Sequence, residues 1–163
     1  MIDRRVLMDG EFVNGRHTKE SGGIILKNVF KKVDHGLAGG EIYEKESIKR
    51  FLIEALKKET KQVYYFIMLN REEEIQSVYK KTGEPSTSEL FRLAILEEAA
   101  KVVLGCNTPG TFRVIDIYSD EMSVAEEMDT TGIIINIPVE NHFIINDSYT
   151  FAFQDFDLAG TAN

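Results

Sequence analysis

The stretch "VVLGCNTPGT", residues 102–111, decides how this chain is read. It starts as a buried-strand pattern in Val102, Val103 and Leu104 and ends in a thiol, an amide, a hydroxyl, a proline and a glycine. Apolar strands that deliver polar groups at their carboxyl ends are how many α/β proteins build sites. Cys106, Asn107 and Thr108 therefore become candidate site residues. Upstream, Ser86 and Glu89 have capping-box spacing, so "ELFRLAILEEAAKV" (89–102) reads as a helix that runs straight into the strand. Downstream, Ser119 with Asp120 and Glu121 suits a helix N-terminus, where acidic groups complement the dipole, and Gly132 suits that helix's end.

Further out, Ile48, Phe51, Leu52, Ala55 and Leu56 fall at helical spacing and form one apolar stripe. "QVYYFIML" (62–69) is a near-continuous β-branched and aromatic run, "NREEE" turns the chain, and "IQSVYKK" (75–81) alternates as a half-buried strand. These two strands are expected as antiparallel neighbours. After the 119–132 helix, "IIINIPV" (133–139) and "HFIINDSYTFAF" (142–153), with a turn at Asn146–Asp147, read as two more strands. The sheet is thus expected to take strands from 62–69, 75–81, 101–105, 133–139 and 142–153. Residues 1–40 carry turn signals at 9–10, 14–15, 22–23 and 39–40 between short apolar pieces, and read as a β-hairpin-like extension. "HGLAGGE" (35–41) follows no clear strand and lacks the G-K-[ST] ending of a phosphate loop, so it reads as a linker. No repeat or heptad pattern is present.

A chain of 163 residues with 43% hydrophobic content can bury a sizeable core, which points to one globular domain. The single cysteine fits a reducing compartment. No apolar run approaches a membrane span and the N-terminus lacks the apolar region of a signal peptide, so a cytoplasmic protein without membrane contact is expected. A net charge of -8 opposes nucleic acid, whose affinity comes from cations that neutralise phosphates. Lys57, Lys58 and Lys61 are offset by Glu54 and Glu59 and read as a solvated helix face.

The order helix, strand, strand, helix, strand, loop, helix, strand, strand carries a resemblance. From about Glu41 to Phe153, roughly two-thirds of the chain, the sequence resembles the RadC-like branch of the JAB/MPN (JAMM) metalloprotease family. "ETKQVYYFIMLNREEEI" looks like the family's opening strands and "SELFRLAILEEAAKVVL" like its central helix and strand. "CNTPG" looks like its H-N-H-P-S-G loop and "IPVENHFII" like its closing D-H-[IL]-I strand. The resemblance implies an α/β three-layer mixed sheet with flanking helices, cytidine-deaminase-like, over residues 41–155. The N-terminal β extension (1–40) precedes it and a polar tail (156–163) follows. It also implies a bacterial or mobile-element source.

In the family, two histidines of H-x-H-P and an aspartate at the next helix start hold zinc, and an upstream glutamate activates the water. By this resemblance Cys106 and Thr108 stand at the two histidine positions, while Asn107 and Pro109 match the pattern. Glu121 falls at the aspartate position, or Asp120 with a shift of one residue. The base position falls near Val78 or Tyr79, neither of them acidic. His142 matches a family position outside the ligand set, and Asn141 replaces the aspartate before it. Each residue also has a plainer reading. Cys106 suits a small core hydrophobe, His142 a hydrogen-bonded structural histidine, Glu121 a helix-surface carboxylate, and His17 and His35 solvated positions in the leader.

Two function classes compete. The favoured one is a catalytically silent RadC-like domain, without cofactor, that binds a protein or small ligand through a groove at Cys106, Asn107, Thr108, Glu121 and His142, with homo-oligomers forming through exposed β edges. The alternative is an enzyme: a zinc-dependent isopeptidase or peptidase with a rebuilt Cys106/Glu121/His142 set, or a thiol enzyme. A weaker reading is a DNA-repair accessory protein, which the acidic charge opposes.

Overall fold

The computed structural model describes residues 12–13, 16–17, 30–33, 41–110, 114–147 and 149–155; the side chains of 12–13, 16–17, 114–121 and 155 lie outside that description. The linker at 35–40 and the tail at 156–163 also lie outside it. In chain order the strands are β1 (Phe12–Val13), β2 (Arg16–His17), β3 (Lys31–Lys32), β4 (Val63–Leu69), β5 (Ile75–Thr82), β6 (Lys101–Asn107), β7 (Val139–Ile145) and β8 (Thr150–Ala152). The helices are α1 (Lys45–Leu56), α2 (Thr87–Leu96) and α3 (Val114–Ile135), and a 3-10 turn at Phe153–Asp155 follows β8.

Six strands form one mixed sheet in the order β3-β5-β4-β6-β7-β8. Residues of β4 are buried throughout, as its unbroken apolar run requires of a strand covered on both faces. Antiparallel neighbours β5 and β6 flank it, with Phe66 opposite Tyr79 and Leu104. β6 and β7 are parallel, pairing Leu104 with His142 and Cys106 with Ile144.

Helix α1 covers one face. Its Ile48, Leu52 and Leu56 pack on Tyr65, Ile67, Val103, Phe143 and Ile145. Helices α2 and α3 cover the other, where Leu90, Phe91 and Met128 join Tyr64, Phe66, Leu104, Cys106 and Ile144. The result is the expected α/β three-layer arrangement. The capping box is formed: the Ser86 hydroxyl accepts from the Glu89 N–H at 3.1 Å, and the Glu89 carboxylate accepts from the Ser86 N–H at 3.1 Å.

The leader reaches the sheet. β3 pairs antiparallel with β5, and Phe30, fully buried, sets its ring edge-on against Phe66 at 5.0 Å. Burying such a ring contributes about 1.5–3 kcal/mol. β1 and β2 form a separate antiparallel pair, Phe12 opposite His17.

The last helix differs from the sequence expectation at both ends. It starts at Val114 instead of Ser119, and it runs past Gly132 to Ile135, so the "IIINIPV" strand does not exist as such; the strand starts at Val139. A short β-branched run has no periodicity of its own to separate strand from helix end. Here Asn136 at φ 60° takes the left-handed position that ends the helix, and the Ile137 N–H donates back to the Gly132 carbonyl at 2.9 Å. Gly132 serves close packing instead of termination: a Cβ there would meet the Ile137 carbonyl oxygen at 2.7 Å. β6 also runs two residues longer than expected, because Cys106 and Asn107 still pair with Ile144 and Ile145.

Candidate functional site

Because side chains alternate along a strand, Leu104 and Cys106 face the α2/α3 layer while Val103, Gly105 and Asn107 point toward the α1 side. Gly105 has no room for more, since a Cβ there would lie 2.6 Å from the Leu52 side chain. Cys106 is fully buried, and His142, 1% exposed on the neighbouring strand, brings its Nε2 to 4.0 Å from the Cys106 Sγ. The imidazole sits edge-on to Phe153 at 5.2 Å and near Tyr64 at 6.4 Å. The His142 backbone N–H donates to the Gln154 side-chain oxygen at 2.9 Å, but its buried Nδ1 has no hydrogen-bond partner among the described residues. Desolvation lowers the His142 pKa to about 4. At neutral pH this is an uncharged ring, and it supplies no cation to hold a thiolate beside it.

Asn107 has a different task. Its Oδ1 accepts from the Val63 N–H at 2.7 Å and its Nδ2 donates to the Lys61 carbonyl at 2.8 Å, so the amide staples the start of β4 to the end of β6. Beyond it, the Thr108 N–H donates to the Ile145 carbonyl at 3.3 Å. The Asn146 Nδ2 donates to the Thr108 carbonyl at 3.0 Å and to its hydroxyl at 3.3 Å. Neighbouring Asn141 accepts from the Tyr43 hydroxyl.

A cleft of about 270 Å³ opens outside the carboxyl ends of the parallel pair β6 and β7, the place where open α/β sheets bind ligands. Asn107, Thr108, Pro109, Gly110 and Ile145 form its floor, with the end of α1 (Ile53, Leu56) and the capping Lys57 on one side and Asn146, Asp147 and Thr150 on the other. The five residues of the expected groove are therefore divided. Cys106 and His142 meet under the α2/α3 layer, and Asn107 and Thr108 line the cleft. Glu121 lies within α3, its side chain outside the described residues. Ile53, Lys57, Asn146 and Asp147 are cleft residues that sequence reasoning missed. Asn146 and Asp147 were legible only as a turn, and the helix periodicity that placed α1 says nothing of what its end borders.

A hydrolytic zinc needs three protein donors and an open position for water. Among the described residues no three of His, Cys, Asp and Glu gather about one point. Cys106 and His142 face one another in a closed layer, and the hydroxyl of Thr108, already accepting from Asn146, is a neutral oxygen that cannot replace imidazole. The residues described do not fit such a zinc.

The family model of the RadC-like JAB domain matches residues 42–158. A UPF0758 protein of Clostridioides difficile (strain 630) is 28% identical over 114 residues, covering 66% of this chain and 48% of the relative. The chain thus spans about half the length of the curated relative it matches. With three layers, a parallel β6–β7 pair and the "CNTPG" loop at its carboxyl end, the chain belongs to the RadC-like JAB domain family.

Proposed function

We propose that this chain is a RadC-like JAB domain that has lost hydrolysis and acts by binding a protein segment or small ligand in the cleft at the ends of β6 and β7. The observation that carries this reading is the closure around Cys106 and His142, 0% and 1% exposed, beside an open cleft of about 270 Å³ lined by the next two residues of the same motif. Catalysis by a metal-bound water or a thiolate requires access for substrate and a base within hydrogen-bond reach. A sealed thiol gives substrate no access and a histidine lowered to a pKa of about 4 is a weak base, whereas an open cleft that mixes apolar side chains with amide, hydroxyl and charged groups suits recognition. Among the described residues no helix is long and apolar enough to cross a membrane.

Turnover of ubiquitin-like, peptide and single-stranded DNA substrates, with and without added zinc, tests this reading. The expected result is the same background rate for wild type, Cys106→Ser and His142→Ala. Turnover that vanishes in either variant would identify a rebuilt catalytic site and restore the enzyme reading.

A further inference from the structure

Four of the six large apolar side chains exposed among the described residues lie at one end of the α2/α3 layer: Ile95 at 59%, Ile133 at 67%, Ile134 at 77% and Ile135 at 37%. All four stand near the ends of two helices that touch. A Cβ on Gly132 would lie 3.4 Å from the Phe91 ring, so the two helices touch there, one turn before Ile95 on one side and directly before Ile133 on the other. A groove of about 520 Å³ continues the surface past Ile95 to Asn136 and Pro138. Three consecutive β-branched residues lower helix propensity, and contiguous exposed apolar surface on a folded domain marks a contact. Nothing in the packing of the described residues requires isoleucine at 133 and 134.

We propose that this end of α2 and α3 is the contact surface for a second copy of the same chain. The charges beside the isoleucines select that partner. One turn before Ile95, α2 exposes Arg92; one turn before Ile133, α3 exposes Asp129, with Glu126 a further turn back. α2 leads into β6 and α3 into β7, and those strands are parallel, so both helices end at the same edge of the sheet. A two-fold axis running along the helices, between them, lays α2 of one copy on α3 of the other at the same level. Ile95 then meets Ile133 and Ile134, and Arg92 meets Asp129, each contact made twice as an isologous interface requires. The acidic face of α3, with Glu126, Glu127 and Asp129 all exposed, would repel an anionic lipid surface. The sheet edges offer less. β3 has two residues and β8 three, and beyond β8 the Gln154 side chain, not a strand, accepts from the His142 N–H.

Sedimentation velocity of the full chain from about 1 to 100 μM decides it. The expected wild-type mass is twice 18.5 kDa. Ile134→Glu and Ile95→Glu, at exposed positions that leave the fold intact by circular dichroism, should sediment as single chains. Arg92→Asp and Asp129→Arg should each weaken the dimer about tenfold, and together restore it. A wild type that remains a single chain throughout, including one recovered on lipid vesicles, would overturn the proposal. So would a dimer unaffected by Ile134→Glu and by both charge reversals.

Discussion

Cys106 and Asn107 are adjacent on β6, yet they sit in opposite environments. Cys106 faces a closed layer in which its histidine neighbour carries a buried ring nitrogen with no partner among the described residues. Asn107 faces the cleft side, and both ends of its amide are taken by main-chain groups at and just before the start of β4. The difference follows from strand alternation. One residue of the motif is a core thiol and the next a structural clamp. The strand is kept because the fold needs it, and the cleft is kept because the clamp and the Thr108–Asn146 contact hold its floor.

The largest expected effect lies on the closed side. His142 is held at a pKa of about 4 when folded, against 6.5 for an unperturbed histidine. Between those values the unfolded chain binds more protons than the folded one, so the contribution is fully present above pH 6.5 and is lost as pH falls toward 4. At about 1.4 kcal/mol per unit, the loss is on the order of 3 kcal/mol. Urea denaturation at pH 7 and near pH 4 should show this drop in wild type, and His142→Leu should lack it while carboxylates titrate equally in both. Equal losses in the two proteins would mean that the imidazole is solvated or charged in the fold.

A smaller effect is expected on the open side. Asn107→Ala leaves the Val63 N–H buried without its acceptor, which costs about 2 kcal/mol, and frees the end of β4. The midpoint of urea unfolding should fall accordingly at all pH values, unlike the pH-dependent His142 effect. An unchanged midpoint would show that the staple is dispensable and that the two environments differ less than their contacts indicate.

Much of this is legible in the sequence. The near-continuous β-branched and aromatic run at 62–69 reads as a buried strand, and Ser86 with Glu89 names a helix start through chemistry local to four residues. The misreadings sit where local chemistry is silent. Ile133–Ile135 carry strand propensity, but the packing of Gly132 against Ile137 and the left-handed Asn136 extend the helix through them. The approach of His142 to Cys106 depends on the parallel register of two strands separated by a helix, which no spacing in the chain encodes. The resemblance to the JAB family suggested that these residues converge, yet it could not show that alternation would put Asn107 on the other side. The cleft's remaining wall comes from the end of α1, where Lys57 read as solvated charge.

The central claim is that the motif position held by Cys106 no longer belongs to a metal centre. Elemental analysis of the full chain, purified without a histidine tag from zinc-supplemented culture, tests it most directly. Far less than one zinc per chain is expected, and the same value in Cys106→Ala. About one zinc per wild-type chain, lost in Cys106→Ala, would contradict it.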